Sequence, residues 1–341
     1  MGKVGVRDVA RLAGVSTATV ARALSESVNV TPETREKVER AVTLLGYTPN
    51  AMARALTSGK SSLLGLFVPD IVNPFYAAVA QGLEDEAAEF GYHCLVASSH
   101  LRPDRERQFV TTLKSGMLDG LAITTTGSDP GLLEALRKTS LPLVFVDRRP
   151  HGFDAPLVRT NNREVAKEAV SRLIELGHRR IGMLAGPSDF DTTTERIAGL
   201  REALDEARIP FQPELIRLGH LEERGGREAM LEILALPERP TALFSFNNLL
   251  TVGALSALRD EGVRMPSDLS LVSFDDMSLF PFVDPPLTAI AQPASEMGRA
   301  AARTLLTILN GETVASDDII LPSELISRES WGPPGPERDG H

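Results

Sequence analysis

The first 24 residues contain two short helical patterns separated by a break of three residues, and this spacing limits the fold more than any other feature of the chain. The first pattern, Val6–Ala13, places its apolar residues at helical intervals and is followed by Gly14. The second, Thr17–Leu24, begins after Ser16, a residue favoured as an N-cap. Two helices joined so closely must cross steeply, which predicts a helix-turn-helix.

A third helix is predicted after Thr31, which is placed to cap it. Pro32 then occupies a position where a missing N–H is tolerated, and Gly46 ends the pattern. Three short helices enclose only a small core, so the polar face of the second helix is better explained by a partner than by packing. A helix of this size fits the major groove of DNA.

The outward face of the second helix offers side chains suited to reading bases. Arg22 could donate two hydrogen bonds to guanine, and Thr17 could bond a base edge or contact a thymine methyl, whereas Ala18 offers only an apolar contact. The alternative interpretation is that Arg22 is a solvated surface residue and that the small residues are ordinary helix positions.

The charge of the chain is uneven. Residues 1–60 carry nine basic and five acidic side chains, a net charge of +4, while the whole chain carries −10, which leaves −14 on the rest. A small basic module joined to an acidic body favours contact between a polyanion and the first 60 residues alone.

Residues 48–58 read TPNAMARALTS and predict a helix of barely two turns, which is marginal alone in water. We expect it to order only when it docks against DNA or against its twin from another subunit. Leu56, near its end, is either a wedge inserted between base pairs in the minor groove or a linker leucine that packs on the body.

The segments VRDVARLAGVSTATVARALS and VTPETREKVERAVTLLGYTPNAMARAL resemble the headpiece and hinge of the LacI/GalR transcription regulators, and the resemblance extends over about residues 4–327. It implies that Thr17, Ala18 and Arg22 read bases and that Leu56 opens the central step of a palindromic operator. Ala18 replaces the longer polar residue of many members, which predicts weak readout at that base pair. Positions that commonly hold phosphates are occupied by Ser16, Thr19, Tyr47 and Asn50.

Residues 61–327 alternate apolar strand-like runs with helical patterns, from LLGLFVP near the start to LSLVSFDD near residue 270. Such alternation predicts α/β units with parallel sheets, and two sets of this size predict two lobes. The sequence holds no GxGxxG after the first strand and no GxxxxGK[ST], so no motif supports binding of nucleotide phosphates.

Side chains with two hydrogen-bonding ends follow several of these strands. In open α/β sheets ligands lie beyond the carboxyl ends of strands, so these side chains form a candidate ligand site. Asp, Asn and Arg can each engage adjacent hydroxyl groups, and an aromatic ring can cover the C–H face of a sugar, which favours a neutral polyol. The alternative is that each polar residue only caps a loop. The strand-end set is Asn73, Phe75, Tyr76, Asp147, Arg148, Arg196, Asn247, Asp275 and Gln292.

The body also resembles the type I periplasmic sugar-binding fold that this family shares, and the resemblance implies effector contacts for the whole strand-end set. Its pattern is especially similar to that of ribose-type members. Two positions depart from the family pattern: Leu221 stands where many members place an aromatic ring, and Asn248 replaces an aspartate. Leu221 leaves stacking to the aromatic pair of the strand-end set.

The expected organisation has four parts. A headpiece covers residues 1–46, a hinge covers 47–60, and a disordered tail covers 328–341. Between them lies a two-lobed core, residues 61–327. Its N-lobe is about 61–160 plus 292–322, and its C-lobe is about 161–291 plus 323–327.

An enzyme is not expected, because the histidines lack HxH or HExxH spacing and no GxSxG elbow is present, so we predict no metal site and no cofactor. The lone Cys94 and the absence of a long apolar run argue for a cytoplasmic protein without a membrane span. A protein that only binds solutes would be expected to carry a secretory signal and no DNA-binding module, which is the reverse of what this sequence predicts.

The function expected from the sequence is therefore a DNA-binding transcriptional regulator, a repressor, that binds a palindromic operator on double-stranded DNA. We expect a homodimer or a tetramer controlled by a small effector. The effector is expected to be a sugar. The alternative is a nucleoside, a purine or a phosphosugar that acts as a corepressor.

Overall fold

The computed structural model describes residues 4–24, 30–47, 60–127, 129–219, 221–315 and 317–335. The chain divides into two compact units, Met1–Ser62 and Leu63–His341, which are described separately. None of the helices within these described ranges is both long and apolar enough to cross a membrane.

The first unit is a bundle of three helices. These are α1 (Val6–Ala13), α2 (Thr17–Leu24) and α3 (Pro32–Leu45), as the sequence predicts. Gly14 ends α1 with a left-handed φ of 69°, a conformation that glycine adopts without a steric penalty. Valines from all three helices fill the interior and are fully buried: Val9, Val20 and Val38.

The N-lobe of the second unit is a six-stranded parallel sheet in the order β11-β5-β4-β3-β1-β2. Helices α4 and α11 cover one face and α5 and α6 cover the other, which is the doubly wound arrangement predicted from the alternation. Its elements are β1 (Leu63–Val68), α4 (Pro74–Glu89), β2 (His93–Ser98), α5 (Pro103–Lys114), β3 (Gly120–Ile123), α6 (Pro130–Lys138), β4 (Leu143–Val146), β5 (Leu157–Thr160), α11 (Ala294–Leu309) and β11 (Asp318–Leu321).

The C-lobe has a second six-stranded sheet in the order β12-β10-β9-β8-β6-β7, parallel except for the β10–β12 pair. Its helices pack in two pairs, α7 with α8 and α9 with α10. Its elements are α7 (Asn162–Glu175), β6 (Ile181–Leu184), α8 (Asp191–Glu206), β7 (Ile216–Arg217), α9 (Glu223–Leu234), β8 (Ala242–Ser245), α10 (Asn248–Asp260), β9 (Ser270–Phe274), β10 (Thr288–Ala291) and β12 (Glu324–Ile326).

The chain passes between the lobes three times. It crosses after β5, again between β10 and α11, and finally in the short connection from β11 to β12. Three adjacent connections of this kind can act as a hinge, because a few residues absorb the rotation of two rigid lobes. The fold class expected from the sequence, a helix-turn-helix unit followed by two parallel-sheet lobes, is confirmed.

The prediction of a disordered tail from residue 328 is wrong for residues 328–335. Ser330 is fully buried, and its Oγ donates to the carbonyl oxygen of Leu271 and accepts from the backbone N–H of Thr288. His178, also fully buried, contacts the carbonyl oxygen of Gly332 at 2.8 Å. The high proline and glycine content of this segment does not prevent order, because its backbone pairs with strand and turn residues of the C-lobe.

Candidate functional site

The candidate DNA-binding surface is the outer face of α2. Ser16 caps this helix: its Oγ accepts from the backbone N–H of Thr19 at 3.1 Å and lies 2.9 Å from the Thr19 hydroxyl. Thr17, Ala18 and Arg22 are exposed, while Val20 on the opposite face is buried. The helix therefore presents the predicted base-reading residues to solvent, although their contacts with DNA remain a prediction.

Two arginine side chains donate hydrogen bonds to backbone carbonyl groups of α2. The Nε atom of Arg22 donates to the carbonyl oxygen of Ala18 at 3.3 Å, and Nη1 of Arg35 on α3 donates to the carbonyl oxygen of Ala23 at 2.6 Å. Tyr47 is half-buried and packs against the core of the three-helix bundle. The other two predicted DNA contacts, Asn50 and Leu56, lie outside the described residues.

The candidate effector site is a cleft in the second unit, lined from both lobes. The cleft lies beyond the carboxyl ends of strands from both sheets, and its cavity measures about 40 Å³. The structure brings together around it every effector residue predicted from the sequence: Asn73, Phe75, Tyr76, Asp147, Arg148, Arg196, Leu221, Asn247, Asp275 and Gln292.

A buried ion pair forms the N-lobe wall of the cleft. Nη1 of Arg148 lies 3.0 Å from Oδ2 of Asp147 and also donates to the hydroxyl of Tyr76 at 3.3 Å. That hydroxyl donates in turn to Asp147 at 3.4 Å. The guanidinium is fixed further by Thr125, whose carbonyl oxygen accepts from Nε, and by the ring of Phe190, 4.2 Å away.

Asp147 has a left-handed φ of 69°, which is uncommon for a residue with a side chain. Asp275, at the end of β9 in the other lobe, has the same type of conformation with a φ of 66°. Each lobe therefore turns its chain sharply at the strand end and presents a carboxylate there. Such local strain is often found where a site holds a side chain in a defined direction.

Arg196 forms the base of the C-lobe wall and is almost fully buried. Nε donates to Oδ1 of Asn162 at 2.8 Å, and Nη1 donates to the carbonyl oxygen of Phe246 at 2.5 Å. The guanidinium lies 3.4 Å from the ring centre of Phe274 and 4.4 Å from that of Phe246. Burial lowers the pKa of Arg196. Its Nη2 makes no hydrogen bond with the residues that the structure describes, and Arg196 lines the cleft.

Two asparagines of the cleft are also helix caps. Asn73 accepts from the backbone N–H of Phe75 at the start of α4, and Asn247 accepts from that of Leu250 at the start of α10. Nδ2 of Asn247 donates to the carbonyl oxygen of Leu221. The loop-cap interpretation is thus correct for these two side chains, and it does not exclude a contact with a ligand, because both line the cleft.

Sequence reasoning missed several residues of the cleft, including Thr192 and Phe246. The hydroxyl of Thr192 is buried and has no hydrogen-bond partner within the described part of the chain, which marks it as a candidate ligand contact. The polar run DFDTTTE was a usable signal for Thr192, since it leads into Arg196. No group of three or more metal-ligating side chains occurs within the ranges described.

Comparison with known proteins gives two family matches. Residues 6–50 match the model described as "Bacterial regulatory proteins, lacI family", and residues 170–331 match the "Periplasmic binding protein-like domain". The first match covers the helix-turn-helix, and the second covers most of the C-lobe.

Relatives align over nearly the whole chain. The "HTH-type transcriptional repressor CytR" of Escherichia coli K12 is 36% identical over 327 residues, 95% of each chain. The lac repressor dimer bound to operator and the anti-inducer ONPF has a TM-score of 0.84 at 27% identity, covering 97% of this chain and 100% of that one. A LacI family regulator from Enterococcus faecium with bound ribose has a TM-score of 0.70 at 27% identity, covering 80% and 99%.

Proposed function

Because this chain belongs to the LacI family of DNA-binding transcriptional regulators, we propose that it is a repressor that binds a palindromic operator as a homodimer and that senses a neutral sugar in its cleft. The observation that carries the sugar assignment is the charge balance of the cleft. Three carboxylates and two guanidinium groups line it, so basic groups are not in excess; they come from Asp70, Asp147, Asp275, Arg148 and Arg196.

This balance favours a neutral ligand over an anionic one. Asp147 is already paired with Arg148 at 3.0 Å, and Asp275 faces a cleft that also contains Arg196. A phosphosugar would bring its charge to two buried carboxylates without an excess of basic groups, and an unpaired buried charge is costly. We therefore propose a neutral ligand in preference to a phosphosugar.

The hydrogen-bonding inventory favours a polyol. Nη2 of Arg196 and the hydroxyl of Thr192 are available on one side of the cleft. On the other side, Phe75 and Tyr76 pack edge to face at 5.0 Å and supply an apolar wall. Adjacent hydroxyls need fixed donors and acceptors, and the C–H face of a sugar needs a ring. The ribose bound by the Enterococcus faecium relative is consistent with this class.

Entry of such a ligand requires movement. A cavity of about 40 Å³ holds no more than a few water molecules. The three crossings between the lobes provide the hinge, so we propose that the lobes separate to admit the sugar and close around it. A ligand that prefers one lobe arrangement shifts the population toward it, and an almost complete switch needs an affinity difference of ~10³–10⁴.

Dimerisation is supported by apolar surface on both lobes. In the N-lobe, β2 is an edge strand with Leu95 and Val96 each about 40% exposed, and an unpaired edge of this kind invites a partner. In the C-lobe, Leu279 and Phe282 are 64% and 83% exposed. Two headpieces in a symmetric dimer would read the two halves of a palindrome.

The test combines two measurements on the full chain. Thermal-shift screening against pentoses, hexoses, nucleosides and phosphosugars should give the largest stabilisation with a neutral sugar. An operator selected from random duplexes should then be bound in a salt-sensitive manner, and the same sugar should change that affinity. Stabilisation only by a nucleoside or a phosphosugar would contradict the sugar assignment, and failure to select any duplex would contradict repression through DNA.

A further inference from the structure

A hydrogen bond joins the two lobes beside the cleft, between Asn73, which lines it, and Asn248, which lies between two lining residues. Oδ1 of Asn73, which precedes α4 in the N-lobe, accepts from Nδ2 of Asn248, the first residue of α10 in the C-lobe, at 3.0 Å. Both side chains are buried, at 6% and 0% exposure. The same oxygen of Asn73 accepts from the backbone N–H of Phe75, also at 3.0 Å.

These contacts fix the orientation of the Asn73 amide. A backbone N–H can only donate, so the atom that faces Phe75 must be the amide oxygen and not the nitrogen. Both lone pairs of that oxygen are occupied by donors. The Nδ2 atom of Asn73 makes no hydrogen bond within the part of the chain that is described, and Asn73 lines the cleft.

Only a side chain that donates a hydrogen bond to Asn73 fits at position 248. Its Nδ2 meets an oxygen that is already committed as an acceptor, while its own Oδ1 is buried without a partner among the described residues. An aspartate at 248 would place an acceptor against an acceptor. Rotation of the Asn73 amide could not relieve this repulsion, because it would turn the NH₂ group of Asn73 toward the N–H of Phe75.

We propose that Asn248 is a positioning residue that holds the Asn73 amide with its NH₂ group directed to the ligand. The cleft then offers a donor only at this point, and the ligand must present an acceptor there, such as a hydroxyl or a ring oxygen. This inference rests on the proposed function, in which the cleft binds a sugar. It also gives a physical reason for asparagine at position 248.

A thermal double-mutant cycle on the full chain tests the pairing without any ligand. Asn73→Asp keeps the N-cap and still accepts from Asn248, so its melting temperature should fall only by the cost of burying the new carboxylate. In the Asn248→Asp background the same change puts two carboxylates together, and the melting temperature should fall by at least ~3 °C more than the two single changes predict. An identical effect of Asn73→Asp in both backgrounds would overturn the proposal.

Calorimetric titration with D-ribose tests the consequence for binding. Asn248→Ala and Asn248→Asp should both weaken ribose binding about tenfold, since both lose the donor and only the second adds a charge. Wild-type ribose affinity in Asn248→Ala would overturn the positioning role. If the wild-type chain binds neither ribose nor any other sugar while the thermal cycle shows coupling, the sugar assignment fails and the pairing of Asn73 with Asn248 stands.

Discussion

Gln292, just beyond β10, donates a hydrogen bond of 2.6 Å from Nε2 to Oδ1 of Asp275, just beyond β9. The contact ties two neighbouring strand ends together at the cleft. Burial nevertheless raises the pKa of Asp275 to about 6, against a reference of 3.8, because the carboxylate loses its hydration. The group that we expect to bind hydroxyls is therefore a source of pH-dependent instability.

Asp275→Asn should stabilise the chain above pH 6. A raised pKa means that folding favours the protonated carboxyl, so the contribution of Asp275 is fully present below about pH 3.8 and is lost as the pH rises through about 6. Asparagine imitates the protonated form at every pH. We expect a gain of about 1–3 kcal/mol at pH 7.5, or several degrees in melting temperature.

The same measurement contains its own control, because the difference between wild type and Asp275→Asn should shrink toward zero as the pH falls to about 4. If the difference in stability between the wild type and Asp275→Asn stayed constant across this pH range, titration of Asp275 would not be its cause. The variant should also lose its response to the effector while it keeps its affinity for the operator.

Arg196→Lys should remove the effector response and leave operator binding intact. Lysine keeps the charge but cannot donate to Asn162 and to the Phe246 carbonyl while stacking on the ring of Phe274. We expect at least tenfold weaker sugar binding by calorimetry. Arg201→Lys, on the exposed side of the same helix α8, is the matched control and should bind as wild type does. An unchanged response in Arg196→Lys would mean that the effector binds elsewhere.

The sequence predicts the cleft well because strand ends are local features. A run such as LSLVSF ends where polar residues begin, and parallel strands deliver all such ends to one edge, so Asp147 and Asp275 could be assigned without the fold in hand. Contacts between those ends are not local. Nothing in the sequence reveals that Asn73 and Asn248 meet, since 175 positions separate them.

The prediction of disorder for the tail is wrong over residues 328–335 for the same reason. Its composition is typical of disorder, but order comes from distant partners: Arg328 pairs with Asp276 at 2.7 Å, and Ser330 bonds to Leu271. Short strands are equally hard to predict. β5 and β11 have four residues each and pair with each other across the chain, so they carry too little periodicity to be recognised alone.

Gly82→Ala should destabilise the N-lobe severely. A Cβ atom at this position would lie 1.8 Å from the carbonyl oxygen of Ser295, because α4 and α11 approach each other closely there. The backbone of α11 would have to move, which costs about 2–3 kcal/mol or more. Gln81→Ala, at an exposed neighbouring position, should leave the melting temperature nearly unchanged. A Gly82→Ala variant as stable as wild type would show that the two helices do not pack this closely in solution.

Phe282→Glu should disrupt the homodimer that we propose. Phe282 is 83% exposed and lies beside Leu279, so a charge there would be buried without a partner at an interface formed by this surface. Sedimentation velocity should show the loss of the dimer, and operator affinity should fall by at least tenfold. Leu218→Glu changes a different exposed residue of the C-lobe, 48% exposed, and should remain dimeric. A dimeric Phe282→Glu variant would exclude this surface as the interface.

Arg22→Ala should relax base preference at one position of each operator half-site. Arg22 lies on the exposed face of α2, and a bidentate contact to guanine contributes about 1–3 kcal/mol of discrimination. Selection of duplexes with the variant should give a binding-site profile in which one base pair per half-site loses its preference. Arg40→Ala, on α3 and paired with Glu36, should leave the profile intact. An unchanged profile for Arg22→Ala would mean that this arginine is only a surface charge and that α2 reads the operator through other side chains.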